Sequence, residues 1–206
     1  YFVEGAVPGD VVDIEVRRKK KGVPFGRVAK INQWSEYRTE AFCEHFGVCG
    51  GCKWQNLDYI EQLRQKEQQV RDKIKRIAKV EPLSFQPILG NESIMYYRNK
   101  MEYSFSSKRW LTESEIKSEL EIEDNKALGF HRPGTYDTVI DLKSCYVQIH
   151  LSDKIRNFVR RLTAEDSFKY YDIRNHEGFL RELVVRTNLA GEAMVLLIFG
   201  NEEEEK

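Results

Sequence analysis

Three cysteines within ten residues constrain this chain more than any other feature of it. Cys43, Cys49 and Cys52 follow the spacing C-x5-C-x2-C, Gly50 and Gly51 fill the second gap, and the fourth and last cysteine is Cys145, far downstream. Four thiolates are the donor set of a [4Fe–4S] cluster or of a tetrahedral zinc ion. A loop that aims three sulfurs at one centre must be tight. The Gly pair is expected to supply positive φ and to leave backbone N–H groups for sulfur. Other readings stand beside the cluster. Disulfides need an oxidising compartment, and no signal-like segment accompanies these thiols. Unrelated buried thiols are common in reducing compartments, though not three of them around Gly-Gly. Zinc usually draws on two paired arms, and only one C-x2-C is present. One compact three-cysteine loop with a distant fourth ligand favours the cluster. His45 could replace a ligand, but a place outside the ligand set suits it better.

The 206 residues allow one large domain or two small ones, with 41% apolar residues for a core and 32% charged residues for a solvated surface. No apolar run approaches the ~18 residues of a membrane span, so a cytoplasmic protein without membrane contact, and a monomer, is the expectation. Net charge is zero but unevenly spread. Arg17, Arg18, Lys19, Lys20 and Lys21 form a basic run, and residues 53–79 are rich in Lys and Arg. Acid gathers in 113–124 and in the tail 202–205. Such asymmetry permits one basic face for a polyanion, although each run alone is equally well an ordinary solvated surface.

The pattern along the chain is α+β. Val12, Ile14 and Val16 alternate with Asp13, Glu15 and Arg17, the period of a half-buried strand. The basic run with Gly22 and Pro24 reads as a loop, with a second strand over 25–31. Short strands in the first forty residues suit a small OB-like barrel, or part of one. Asp58 and Glu61 have capping-box spacing, and Ile60, Leu63, Val70, Ile74 and Ile77 form one stripe, which predicts a helix over 58–79. Strands are expected over 96–105, 127–130, 136–140, 180–187 and 193–199, the last two joined through Leu189-Ala190-Gly191. Thr112 with Glu115 predicts a short helix through Leu120. Ser152 predicts the cap of another, with Ile155, Val159 and Leu162 inward. The chain opens in strand-like Tyr1-Phe2-Val3 without an initiating Met and runs into an acidic tail, 201–206, which suggests part of a longer protein.

The stretch Phe42-Cys43-Glu44-His45-Phe46-Gly47-Val48-Cys49-Gly50-Gly51-Cys52-Lys53-Trp54-Gln55, followed by Tyr59 and Gln62-Leu63-x-x-Lys66, closely resembles the cluster-binding region of RNA (uracil-5-)-methyltransferases, the family of ribosomal and transfer RNA 5-methyluridine enzymes. Residues 3–10 resemble the second part of that family's N-terminal TRAM barrel, and Tyr97-Arg98-Asn99-Lys100 and residues 181–186 resemble strands of its central domain. The resemblance implies a partial TRAM barrel over 1–40 and a mixed α/β domain with an iron–sulfur loop over 41–200. It also implies that Cys145 is the fourth cluster ligand and that helix 58–79 leans on a catalytic domain. That catalytic domain, which binds S-adenosylmethionine and carries the cysteine nucleophile and general base, has no counterpart here. No catalytic residue is therefore expected in this chain, which alone should be inactive. The acidic stretch 107–125 has no place in the family pattern.

An enzyme that methylates uridine must hold RNA phosphates and unstack a base, work suited to Lys, Arg and aromatic faces. Arg17 to Lys21, with Phe25 and Arg27 just beyond, lie where OB-like folds meet nucleic acid. Tyr97, Arg98 and Lys100 interleave aromatic and basic character, and Phe130, His131 and Arg132 end a strand at a loop. Each has a plainer reading: a solvated hairpin, a core Tyr, a buried Phe beside a capping His. The leading expectation is the front part of an S-adenosylmethionine-dependent 23S rRNA or tRNA uridine C5-methyltransferase, ribosomal RNA being the favoured substrate, with a structural [4Fe–4S] cluster. The alternatives are a stand-alone metal-containing RNA-binding module and an electron-transfer protein.

Overall fold

Alternating Val12 and Ile14 carry a strand that runs on into the basic residues. In the computed structural model, which describes residues 1–118, 124–165 and 168–200, β1 (Phe2–Glu4), β2 (Val11–Lys20) and β3 (Val23–Gln33) form a sheet in the order β1-β3-β2. β1 runs parallel to β3, and β2 and β3 make an antiparallel hairpin. Lys21 (φ 50°) and Gly22 (φ 79°) close it, the two successive positive φ values that a tight hairpin of matching twist requires. The basic run is thus not the loop expected from sequence. A two-residue turn suffices for the reversal, so Arg17 to Lys20 stay in β2, where Arg18 to Lys20 pair with β3 beyond an irregularity at Arg17.

Asp10 fastens this sheet to the segment beyond β3. Its carboxylate accepts the Val7 and Ser35 N–H groups at 2.8 and 3.0 Å and the Arg38 Nη2 donor at 2.7 Å. Arg38 also donates to the Gly5 carbonyl at 3.0 Å. The first unit of contacts, Tyr1–Phe42 with Trp54–Asn91, includes the long helix. Asp58 caps α1 (Tyr59–Lys73), accepting from the Ile60 and Glu61 N–H groups, and a π-helical turn (Ile74–Ala78) extends it to Lys79 in the left-handed region. The capping box is half formed: Glu61 turns instead to Arg64 and Gln65. Ile60, Val70 and Ile77 are exposed.

The second unit is Cys43–Lys53 with Glu92–Lys206. Its antiparallel sheet has the order β6-β5-β4-β7-β8, from β4 (Lys100–Ser106), β5 (Ala127–His131), β6 (Val139–Asp141), β7 (Leu180–Thr187) and β8 (Ala193–Phe199). Along β4, Met101, Tyr103 and Phe105 are buried while Glu102 is exposed, the period-two pattern of a strand with one face covered. The cover is α3 (His150–Glu165), packed on β5 and β7. Leu128, Leu183, Val185 and Val159 complete that core, each such side chain stabilising by roughly 1.5–3 kcal/mol when fully buried. Every residue of the edge strand β8 is exposed.

Several expectations need correction. The strand expected over 96–105 begins at Lys100; Tyr96 sits at φ 59°, which no strand tolerates, and Tyr97 is exposed rather than core. Ser152 does not cap α3. It lies inside the helix, buried, with its hydroxyl 2.9 Å from the Tyr103 hydroxyl. Val159 faces the core as expected, but Leu162 is exposed and Arg156 takes the deepest place on the helix. Thr112 and Glu115 form the complete capping box of α2 (Glu113–Lys117); its expected continuation to Leu120 and the acidic tail fall outside the described residues.

Candidate functional site

All four cysteines belong to the second unit. The 43–52 loop is wound on its own backbone: Phe46 N–H donates to the Cys43 carbonyl at 3.0 Å and Cys49 N–H to the His45 carbonyl at 2.9 Å. It is tied to the end of β5, where Gly50 N–H donates to the His131 carbonyl at 3.1 Å. A Cβ on Gly50 would stand 2.6 Å from that oxygen, so only glycine allows the approach. The positive φ expected of the Gly pair falls instead on Gly47, at 88°. Gly51 N–H does reach sulfur, donating to Cys49 Sγ at 3.3 Å.

Cys145 reaches the loop through a polar grip on residues 143–145. From α3, Asp153 Oδ2 accepts the Cys145 N–H at 3.0 Å, while Arg156 Nη2 and Asn157 Nδ2 donate to the Lys143 carbonyl at 2.6 and 3.1 Å. From the cysteine loop, His45 Nε2 accepts the Lys143 N–H at 3.2 Å and Glu44 accepts from the Ser144 hydroxyl at 3.2 Å. His45 therefore serves as a backbone acceptor beside the thiols, and burial holds its imidazole below the ordinary value.

The four thiols are half-buried, and Cys52 lies within electrostatic range of each of the other three. Cys49, Cys52 and Cys145 pack against the apolar core. Burial pushes the Cys43 and Cys49 thiols up and Cys145 up to about 11. A metal must displace protons to bind such thiols, which makes uptake weaker as pH falls. The donor chemistry fits an iron–sulfur cluster, and a buried donor, Arg156 Nε, has no partner. Among the described residues no group of three or more His, Cys, Asp or Glu side chains is arranged to hold a metal ion.

The other candidate residues fall into separate groups. On the hairpin, Arg17, Lys19, Lys20 and Lys21 are exposed. Arg18 stands 5.3 Å from the Phe25 ring, which stacks on Phe2 at 4.9 Å, and Arg27 pairs with Glu15 at 2.6 Å. In the second unit, Arg98 N–H donates to the Val147 carbonyl and Lys100 pairs with Glu102 at 2.6 Å. Phe130 lies 5.2 Å from Tyr103 and within 3.5 Å of a Gly51 Cβ position, so it backs the cysteine loop as His131 does through its carbonyl. Arg132 stacks on Trp110 at 3.9 Å. Asp153, Arg156 and Asn157 were missed from sequence. Their spacing marks only one polar stripe of a helix, which by itself reads as solvated.

Over 197 residues the chain is 44% identical to a protein of Bacteroides thetaiotaomicron named as an uncharacterized RNA methyltransferase, covering 96% of this chain and 43% of that protein. A protein of Porphyromonas gingivalis with the same name is also 44% identical, over 98% of this chain and 44% of its own length. Over nearly its whole length the chain is thus similar to proteins named as RNA methyltransferases. The chain spans less than half the length of these relatives. No family model matches it. Its fold is similar to that of the Pyrococcus abyssi tRNA (uracil-54, C5)-methyltransferase, solved with S-adenosyl-L-homocysteine, at a TM-score of 0.66 and 22% identity, over 98% of this chain and 42% of that one. Among the described residues no helix is long and apolar enough to cross a membrane.

Proposed function

We propose that the intact protein transfers a methyl group from S-adenosylmethionine to C5 of a uridine in ribosomal or transfer RNA. This chain supplies RNA binding and a structural [4Fe–4S] cluster held by Cys43, Cys49, Cys52 and Cys145. The observation that carries this reading is the grip that brings residues 143–145, distant in sequence, onto the 43–52 loop. S-adenosylmethionine supplies the methyl group, and no residue of this chain is assigned to it. Four protein thiolates leave no open iron for substrate, so the cluster's role is to fix the loop against β5. The basic end of the β2–β3 hairpin contacts phosphates, and the Arg18–Phe25 pair offers a face for an unpaired base.

Tritium release tests the reaction. Full-length protein with S-adenosylmethionine and RNA labelled at uridine C5 should release tritium in step with methyl incorporation, whereas this chain alone should release none. Methyl transfer without tritium release would place the reaction at another atom.

A further inference from the structure

Arg156 is the one arginine whose side chain is wholly out of solvent among the described ion pairs, at 0% exposure. A buried guanidinium destabilises a fold unless its charge and its donors are met. Most of its donors are met around Cys145. Nη1 donates to Asp153 Oδ1 at 2.9 Å, and the other oxygen of that carboxylate receives the Cys145 N–H. Nη2 donates to the Lys143 carbonyl at 2.6 Å and to Asn157 Oδ1 at 3.0 Å. The guanidinium carbon lies 5.4 Å from the Tyr103 ring. Nε is buried and has no partner.

Asp153 balances one charge, and its carboxylate is shared with the Cys145 backbone. A [4Fe–4S] cluster with four thiolates is an anion placed against an apolar core. Such a group needs a buried cation and N–H donors, the levers that tune iron–sulfur centres. We infer that Arg156 is the positioning residue and buried counter-cation of the four-cysteine site: it fixes residues 143–145 through Lys143 and Asp153 and keeps its Nε donor for the sulfur of a bound cluster. The inference rests on the cluster reading above.

Wild type, Arg156→Met and Arg156→Lys are reconstituted anaerobically with iron and sulfide. Bound iron and sulfide, the rate of cluster loss to a chelator and the reduction midpoint are then measured. Arg156→Met should lose its cluster about tenfold faster or more, the scale on which supporting contacts act. Its midpoint should move negative, because removing a cation disfavours adding an electron to an anion. Arg156→Lys should recover most of the midpoint but not the retention, since a lysine keeps the charge without the guanidinium fork. Should Arg156→Met fail to fold, Arg156→Gln carries the same expectation. Wild type that takes up neither iron nor sulfide overturns the cluster reading and this assignment together. A loaded wild type with an Arg156→Met variant of equal retention and midpoint overturns this assignment alone.

Discussion

Asp10 shows how much one carboxylate can organise. It closes the β1–β2 turn through Val7, reaches past β3 to Ser35, and meets Arg38 with two oxygens, while Arg38 itself packs over Trp34 at 4.8 Å. The Arg38 hydrogen bonds hold its pKa down to about 2 against the usual 3.8. A depressed carboxylate stabilises the fold above its unfolded value and loses that contribution as pH falls toward its folded one. Asp10→Asn should therefore lower stability at neutral pH by about 2 kcal/mol, the scale of a lost charged hydrogen bond. The thermal midpoints of variant and wild type should converge as pH drops from about 4 toward 2. A gap that stays constant through that window would show that the ion pair is not its source.

Elements differ in how much of their behaviour is local. Asp58 caps α1 as its spacing indicates because an N-cap needs only the next turn of the same helix. β7 and β8 run over 180–187 and 193–199 as their apolar pattern indicates. The β2–β3 hairpin carries Arg17 to Lys20 on a strand rather than on a loop, so the strand sets their spacing. Replacing Arg17, Lys19 and Lys20 together by threonine, which suits a strand, should weaken RNA binding. The plot of log affinity against log salt should flatten by about 2, at about 0.7 per lost phosphate contact. Equal slopes for the two proteins would take the hairpin out of the interface.

At the scale of the whole molecule the two sheets share no strand. Each has its own fastening, Asp10 with Arg38 in the first unit and the apolar core beneath α3 in the second. Local stability should follow that division. In hydrogen exchange, Asp10→Asn should speed amides of β1, β2 and β3 and leave protection in β4, β5 and β7 unchanged. A uniform rise across both sheets would mean that they unfold as one. The net charge of zero conceals a local excess of basic residues at Arg17 to Lys21.

The sequence by itself determined what depends on neighbours along the chain. The cysteine spacing named candidate donors, and the residues around it carried the family resemblance; capping residues and apolar periods located α1, β7, β8 and the Thr112–Glu115 cap. It misplaced Ser152, took the basic strand for a loop and passed over Arg156, because the partners that decide them lie elsewhere: Tyr103 for Ser152, β3 for the basic run, Lys143 for Arg156. Cys145 belongs with this second group. Its residue type was plain from the start, but only the fold brings residues 143–145 against the 43–52 loop, through Asp153 on one side and the residues that hold Lys143 and Ser144 on the other.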